Sequence, residues 1–314
     1  MNQPLIIEMR TIAQKLLAAR TVGTIIGWEK GSRWYLTPPA FIHNEDQVDR
    51  LYFDRFAVNN LAKYLLDYRD SDEKVAVFVK GCDSRGIIRL IQDNQVKKEN
   101  IIVIGLPCAG MYDRAKVEDP ENPHDLPLLN KCLECRYPNP VYADRLVGEV
   151  SVSSESGRPT GTYSGFATAQ SVGSRADRRF EAVDTLNNLP SGQKALLWQT
   201  YAERCLRCYA CRNICPACNC AGCIFDSDRK QWTTKAALQS ANSFFLVTRA
   251  MHVAERCVEC GECERVCPAG IPVMSLNRLV SKEINRLCGA YDAGIELKSS
   301  FPLSHFNLAV KVGS

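Results

Sequence analysis

What this chain lacks narrows it quickly. It has no long apolar run. The best, Ile101–Met111, is interrupted by Gly105 and Pro107 and falls short of the ~18–20 apolar residues of a membrane span. Its first ten residues offer only Leu5, Ile6 and Ile7 before Glu8 and Arg10, where a secretory leader needs about 7–15 apolar residues. The expectation is a cytoplasmic protein with no direct membrane span. Net charge is also small. The 39 basic and 35 acidic residues leave +4, too weak a field to gather nucleic acid or an anionic membrane. There is no G-x-G-x-x-G, no G-x4-G-K-[ST] and no C-x2-C-H. The sequence thus carries no dinucleotide fingerprint, no phosphate-binding loop and no attached haem.

Cysteine is what it has. Sixteen occur in 314 residues. So many thiols require an oxidising compartment or metal. With thiols kept reduced in the cytoplasm, metal is the reading that remains.

Eight of them form one motif written twice. Cys205-Leu-Arg-Cys208-Tyr-Ala-Cys211-Arg-Asn-Ile-Cys215-Pro216 is matched by Cys257-Val-Glu-Cys260-Gly-Glu-Cys263-Glu-Arg-Val-Cys267-Pro268. Both are C-x2-C-x2-C-x3-C-P, the run of two-cluster bacterial ferredoxins, whose fourth cysteine ligates the other cluster. Three closely spaced cysteines wrap one iron–sulfur cube. The fourth is expected to start a helix and point away, with the proline in its first turn. Cluster 1 is assigned to Cys205, Cys208, Cys211 and Cys267. Cluster 2 is assigned to Cys257, Cys260, Cys263 and Cys215. Zinc is the rival, but a zinc ribbon uses two C-x2-C pairs rather than four cysteines and a terminal proline. Arg204, Arg207, Arg212, Arg256 and Arg265 lie near the ligands in sequence. They either offset cluster charge or lie on solvated helix faces.

Eight cysteines remain. Cys82 and Cys108 each follow an apolar, β-branched run, Lys74–Lys80 and Ile101–Gly105. In an open parallel sheet both would lie at the carboxyl edge, where ligands bind. Cys132 and Cys135 form a C-x2-C pair able to close over that edge. Together the four make a candidate third cluster, favoured by a helix start placed at Ser84–Arg85. The alternative is two buried thiols and an incidental pair. Cys218, Cys220 and Cys223 crowd together after the first motif, and are either a further site or spare thiols beside cluster 2. Cys288 follows Leu287 on an apolar face and reads as a core residue. The cofactors expected are therefore two 4Fe-4S clusters, with one or two additional 4Fe-4S clusters as candidates.

The fold class expected is an α/β N-terminal domain with a parallel β-α-β core, plus an α-rich, ferredoxin-like dicluster domain. Pro4–Arg20 and Asp49–Tyr68 carry helical apolar spacing. Lys74–Lys80, Arg85–Gln95 and Ile101–Gly105 form the β-α-β unit. Ser191–Glu203, Ala241–Glu255 and Ile271–Leu287 are further helices. The divisions are 1–149 for the α/β domain, 150–190 for a Ser/Gly-rich linker or loop, 191–290 for the dicluster domain and 291–314 for a tail.

Lys80-Gly-Cys-Asp-Ser-Arg-Gly86, Leu106-Pro-Cys-Ala-Gly-Met111, the Cys132/Cys135 pair and the Cys205–Asp226 stretch together resemble a known family. It is the beta-subunit family of deazaflavin-reducing hydrogenases and formate dehydrogenases. The likeness is nearer to its iron–sulfur members, in which such a domain is joined to a dicluster ferredoxin. The resemblance implies an electron-transfer subunit of an anaerobic, multi-subunit redox complex, alongside heterodisulfide-reductase-like, hydrogenase or formate dehydrogenase subunits. It gives no catalytic acid, base or nucleophile. The alternative it raises is a flavin (FAD) or deazaflavin oxidoreductase whose substrate sits near Cys82 and Cys108.

Overall fold

The computed structural model describes residues 3–117, 126–148, 150–152, 161–163, 179–226, 234–298 and 301–305. Most of the Ser/Gly-rich stretch and the last nine residues of the tail, 306–314, lie outside the described residues. The chain divides into two compact units, Met1–Arg179 and Phe180–Ser314.

The first unit is built on a five-stranded sheet in the order β2-β1-β3-β4-β5. Its strands are β1 (Thr24–Trp28), β2 (Pro39–Ile42), β3 (Val75–Val79), β4 (Ile101–Gly105) and β5 (Arg145–Leu146). β1, β3, β4 and β5 run parallel, and β2 pairs antiparallel to β1 at one edge. Every residue of β1 and β3 is buried. For β3 this is why the sequence reads as an unbroken apolar run rather than an alternating one. Helix α1 (Gln3–Ala18) buries Leu5, Met9, Ala13 and Leu16, its apolar stripe. Helix α2 (Gly81–Gln92) connects β3 to β4 and buries Ile87, Ile88 and Leu90. Short strands β6 (Val150–Val152) and β7 (Gly161–Tyr163) pair antiparallel.

Two local expectations fail in this unit. Asp49–Tyr68 is not one helix. It is a 3-10 turn at Glu45–Arg50, an irregular stretch, and a second 3-10 turn at Leu61–Tyr68. Two side chains divert the backbone: Asp54 accepts from the Phe56 N–H at 2.8 Å, and Asn60 from the Ala62 N–H at 3.0 Å. Short polar side chains compete with helical hydrogen bonds in this way. Phe53, Phe56, Leu61 and Leu65 are nonetheless buried. The second failure concerns the start of α2, which lies at Gly81 rather than at Ser84–Arg85. Asp83 draws it back. Its carboxylate accepts from the Lys80 N–H at 2.8 Å, closing a capping box.

The second unit is helical. Its long helices are α5 (Ser191–Arg204), α7 (Gln239–His252) and α9 (Val273–Cys288), with α4 (Glu181–Asn187) ahead of them. Short helices α6 (Ala210–Asn213) and α8 (Glu262–Arg265) lie inside the two cysteine motifs. Both end before the fourth cysteine, so Cys215 and Cys267 close a helix rather than open one. The prolines that follow disfavour helical backbone at the preceding residue. Among the described residues no helix is long and apolar enough to cross a membrane.

Candidate metal centres

In the C-terminal unit the two motifs have the same backbone shape. Arg207 and Tyr209 have φ of 52° and 60°, and their counterparts Glu259 and Gly261 have 54° and 68°. Left-handed residues at matching places in both copies curl each loop around a centre. Alternation of this kind turns backbone N–H groups inward and makes an anion-binding nest, as at iron–sulfur sites. Only one of the four is glycine, so three carry left-handed strain of the kind that persists where the surroundings demand it. The N–H of Arg207 donates to Cys205 and that of Glu259 to Cys257, an identical bond in each copy.

The first loop lines a partly open pocket with Cys205, Cys208, Cys211 and Cys267, together with Tyr209, Phe245 and Ile271. Three of these cysteines come from one motif and the fourth from the other. At the second, Cys257 and Cys263 each feel Cys215, again across the motifs. Burial pushes Cys257 up to about 11 and Cys263 well above the usual thiol range. Cys215 goes the other way, to about 5, through a hydrogen bond from Cys218. Cys208 is exposed while its counterpart Cys260 is buried, so the first centre lies nearer solvent.

One residue faces both centres, and the sequence reading missed it. Arg249 on α7 is 3 % exposed. Its Nη2 donates to the Cys211 carbonyl at 3.0 Å and its Nη1 to Asn277 Oδ1 at 3.3 Å. Burial opposes its charge, but Cys263, Cys215, Cys218 and Cys211 outweigh it and hold the guanidinium above its ordinary pKa. Asn277 Nδ2 in turn points at Cys257 Sγ (3.8 Å) and Cys263 Sγ (4.0 Å). The available signal was an arginine on the stripe Asn242–Phe245–Arg249, otherwise buried and mostly apolar. The arginines near the motifs are engaged elsewhere. Arg212 pairs with Asp226 and Arg265 with buried Glu262. Arg256 donates to Asn219 and Arg204 to the Ala269 carbonyl. Arg207, also buried, donates to the Ala236 carbonyl and acts on Cys205.

In the N-terminal unit β3 and β4 end at the same sheet edge, as parallel neighbours must. Cys82 sits in the first turn of α2, Cys108 follows β4, and Cys132 lies in the short helix α3 (Asn130–Leu133) with Cys135 after it. Their electrostatics connect all four. Cys82 is pushed well above its usual value, first by burial and then by Asp83 and Cys108. Cys108 is pushed up to about 12, again by burial first, then by Cys132 and Cys135. Lys80 opposes both shifts and Lys131 opposes the first. Lys80 is 1 % exposed; its Nζ lies 3.0 Å from Asp83 and 3.9 Å from the Trp28 ring centroid. Arg55 fixes the loop after Cys108 by donating to the Ala109 and Gly110 carbonyls. Gly81 is required by close approach: a Cβ there would lie 1.8 Å from the Tyr137 carbonyl oxygen.

Cys218, Cys220 and Cys223 have different surroundings. Cys218 packs with Cys215 and Val253, Cys223 packs with Phe225 and Phe245, and Cys220 is exposed. Cys288, expected in the core, is exposed at the end of α9, beyond the last buried residue of that helix, Ile284. Among the described residues no three His, Cys, Asp or Glu side chains are arranged to hold a single ion. The inward amides, the cysteine-lined cavity and the buried cation fit an anionic cluster of larger size.

Residues 201–271 match the family described as "4Fe-4S dicluster domain". Along most of its length the chain is similar to the F420-dependent formate dehydrogenase subunit beta of Methanocaldococcus jannaschii. The identity is 24 %, over 90 % of this chain and 89 % of that one. F420-dependent formate dehydrogenase 1 subunit beta of Methanococcus maripaludis is 23 % identical over 68 % of this chain and 72 % of its own. The chain is a homologue of these beta subunits. It carries a 4Fe-4S dicluster domain and is an iron–sulfur, electron-transferring protein of the oxidoreductase class.

Proposed function

We propose that this chain is the iron–sulfur electron-transfer subunit of a cytoplasmic, anaerobic, multi-subunit oxidoreductase linked to formate dehydrogenase, hydrogenase or heterodisulfide-reductase-like partners. The observation that carries the reading is the crossed set of cysteines around one cavity, Cys205, Cys208 and Cys211 with Cys267. By the same crossing, Cys257, Cys260 and Cys263 with Cys215 hold the second cluster. Cys82, Cys108, Cys132 and Cys135 hold a third at the sheet edge, supported by their mutual coupling and by Lys80 and Lys131. Bound clusters supply one-electron carriage. The chain's own residues hold them, exclude water and set the surrounding charge. The exposed Cys208 and Leu206 make the first centre the one a partner can approach.

A second reading takes up the F420 dependence in the relatives' names. It gives the chain a flavin and a deazaflavin substrate beside Cys82 and Cys108. Anaerobic purification with iron, sulfide, zinc and flavin counted per chain separates the readings. About twelve irons and matching sulfide, without flavin, support the first. Flavin at one per chain with flavin-dependent turnover supports the second. Zinc without sulfide overturns both.

A further inference from the structure

Arg249 stands out by what it lacks. It is a buried guanidinium with no carboxylate partner among the described residues, and its Nε has no hydrogen-bond partner there. Three other arginines of this unit are neutralised in place: Arg212 by Asp226, Arg265 by Glu262 and Arg278 by Glu259. A buried unpaired charge is strongly unfavourable. Arginine does not escape by losing its proton, because its pKa is too high. Its countercharge must therefore come from what it faces. Those groups are Cys211 of the first centre and Cys215 and Cys263 of the second.

We propose that Arg249, oriented by Asn277, is the shared counter-cation of the two C-terminal clusters and raises the midpoint potential of both. This rests on the dicluster reading above. A cluster with four thiolates is anionic, and each added electron makes it more so. A fixed cation in a poorly solvated interior stabilises the reduced form more than the oxidised one. Arg207 acts on Cys205 of the first centre. Asn277 differs again: its N–H groups face Cys257 and Cys263, both of the second centre. Arg249 is thus a positioning and tuning residue common to the pair, and Asn277 a donor private to one member.

The test is an anaerobic EPR-monitored redox titration of the full-length chain. Iron and sulfide are counted on the same samples of wild type, Arg249→Gln, Arg249→Lys and Asn277→Leu. In Arg249→Gln both cluster signals are expected to move to lower potential. The reduced-to-oxidised ratio at each wild-type midpoint should fall about tenfold, which is about 59 mV for one electron. Arg249→Lys should recover most of that shift, and Asn277→Leu should move one signal more than the other. Full iron content with unmoved midpoints in Arg249→Gln overturns the proposal. If Arg249→Gln loses iron, Asn277→Leu decides. With iron complete, movement of both signals, unequally, supports the proposal, and a shift confined to the second signal or no shift overturns it. A wild-type chain without iron overturns the dicluster reading itself, a failure the metal count keeps separate.

Discussion

The two units use cysteine to different extents. The N-terminal unit has one continuous apolar core running from Leu5 through Val147, in which Cys132 is the one cysteine among the described residues, with Cys108 packed against it. The C-terminal unit has small separate apolar clusters, and cysteines are members of each: Cys263, Cys215 and, beside Phe225 and Phe245, Cys211 and Cys223. On the proposed reading, the first unit adds a metal centre to a fold that hydrophobic burial already stabilises. In the second the metal centres are the core, and binding free energy becomes folding free energy.

The sharpest way to break that contrast is to remove the iron. Anaerobic chelation should strip amide exchange protection from α5, α7 and α9, while β3 and β4 stay protected. Equal loss in both units would erase the distinction. Next in size is Cys215→Ser. It should remove about four irons and the signal of the second cluster, although the residue lies in the first motif. Loss of the first signal instead would contradict crossed ligation. Phe78→Ala, at a fully buried side chain in β3, should cost ~3–5 kcal/mol in the N-terminal transition by chemical denaturation, with C-terminal iron unchanged. Gly81→Ala should cost ~1–3 kcal/mol by driving a methyl into the Tyr137 carbonyl, and should release the N-terminal iron. The smallest effect is expected for Lys282→Ala. Its pairing with Asp184 is part-exposed, so stability should change by less than ~1 kcal/mol.

Much of this was legible in the sequence, for identifiable reasons. The β3-α2-β4 unit was readable because its strands are buried on both faces and its helix carries a clear period. The dicluster was readable because ligand spacing is itself a geometric constraint. What escaped was set by short-range side-chain capping bonds and by contacts between separate helices. The helix start at Gly81 depends on Asp83 capping backward, and the break after Arg50 depends on Asp54 and Asn60. Arg249 escaped because it lies outside both motifs, within a helix between them. Only the packing of α7 against α9 brings it to the thiols. The arginines close to the motifs in sequence read equally as offsetting cluster charge or as lying on solvated faces; of these Arg207 acts on Cys205, and Arg212 and Arg265 pair with carboxylates.

The most direct test of a metal centre in each unit is the iron count per anaerobically purified chain, compared between wild type and Cys108→Ser. The account predicts about twelve irons falling to about eight, with the two C-terminal cluster signals unchanged. An iron count that does not fall in Cys108→Ser would contradict it.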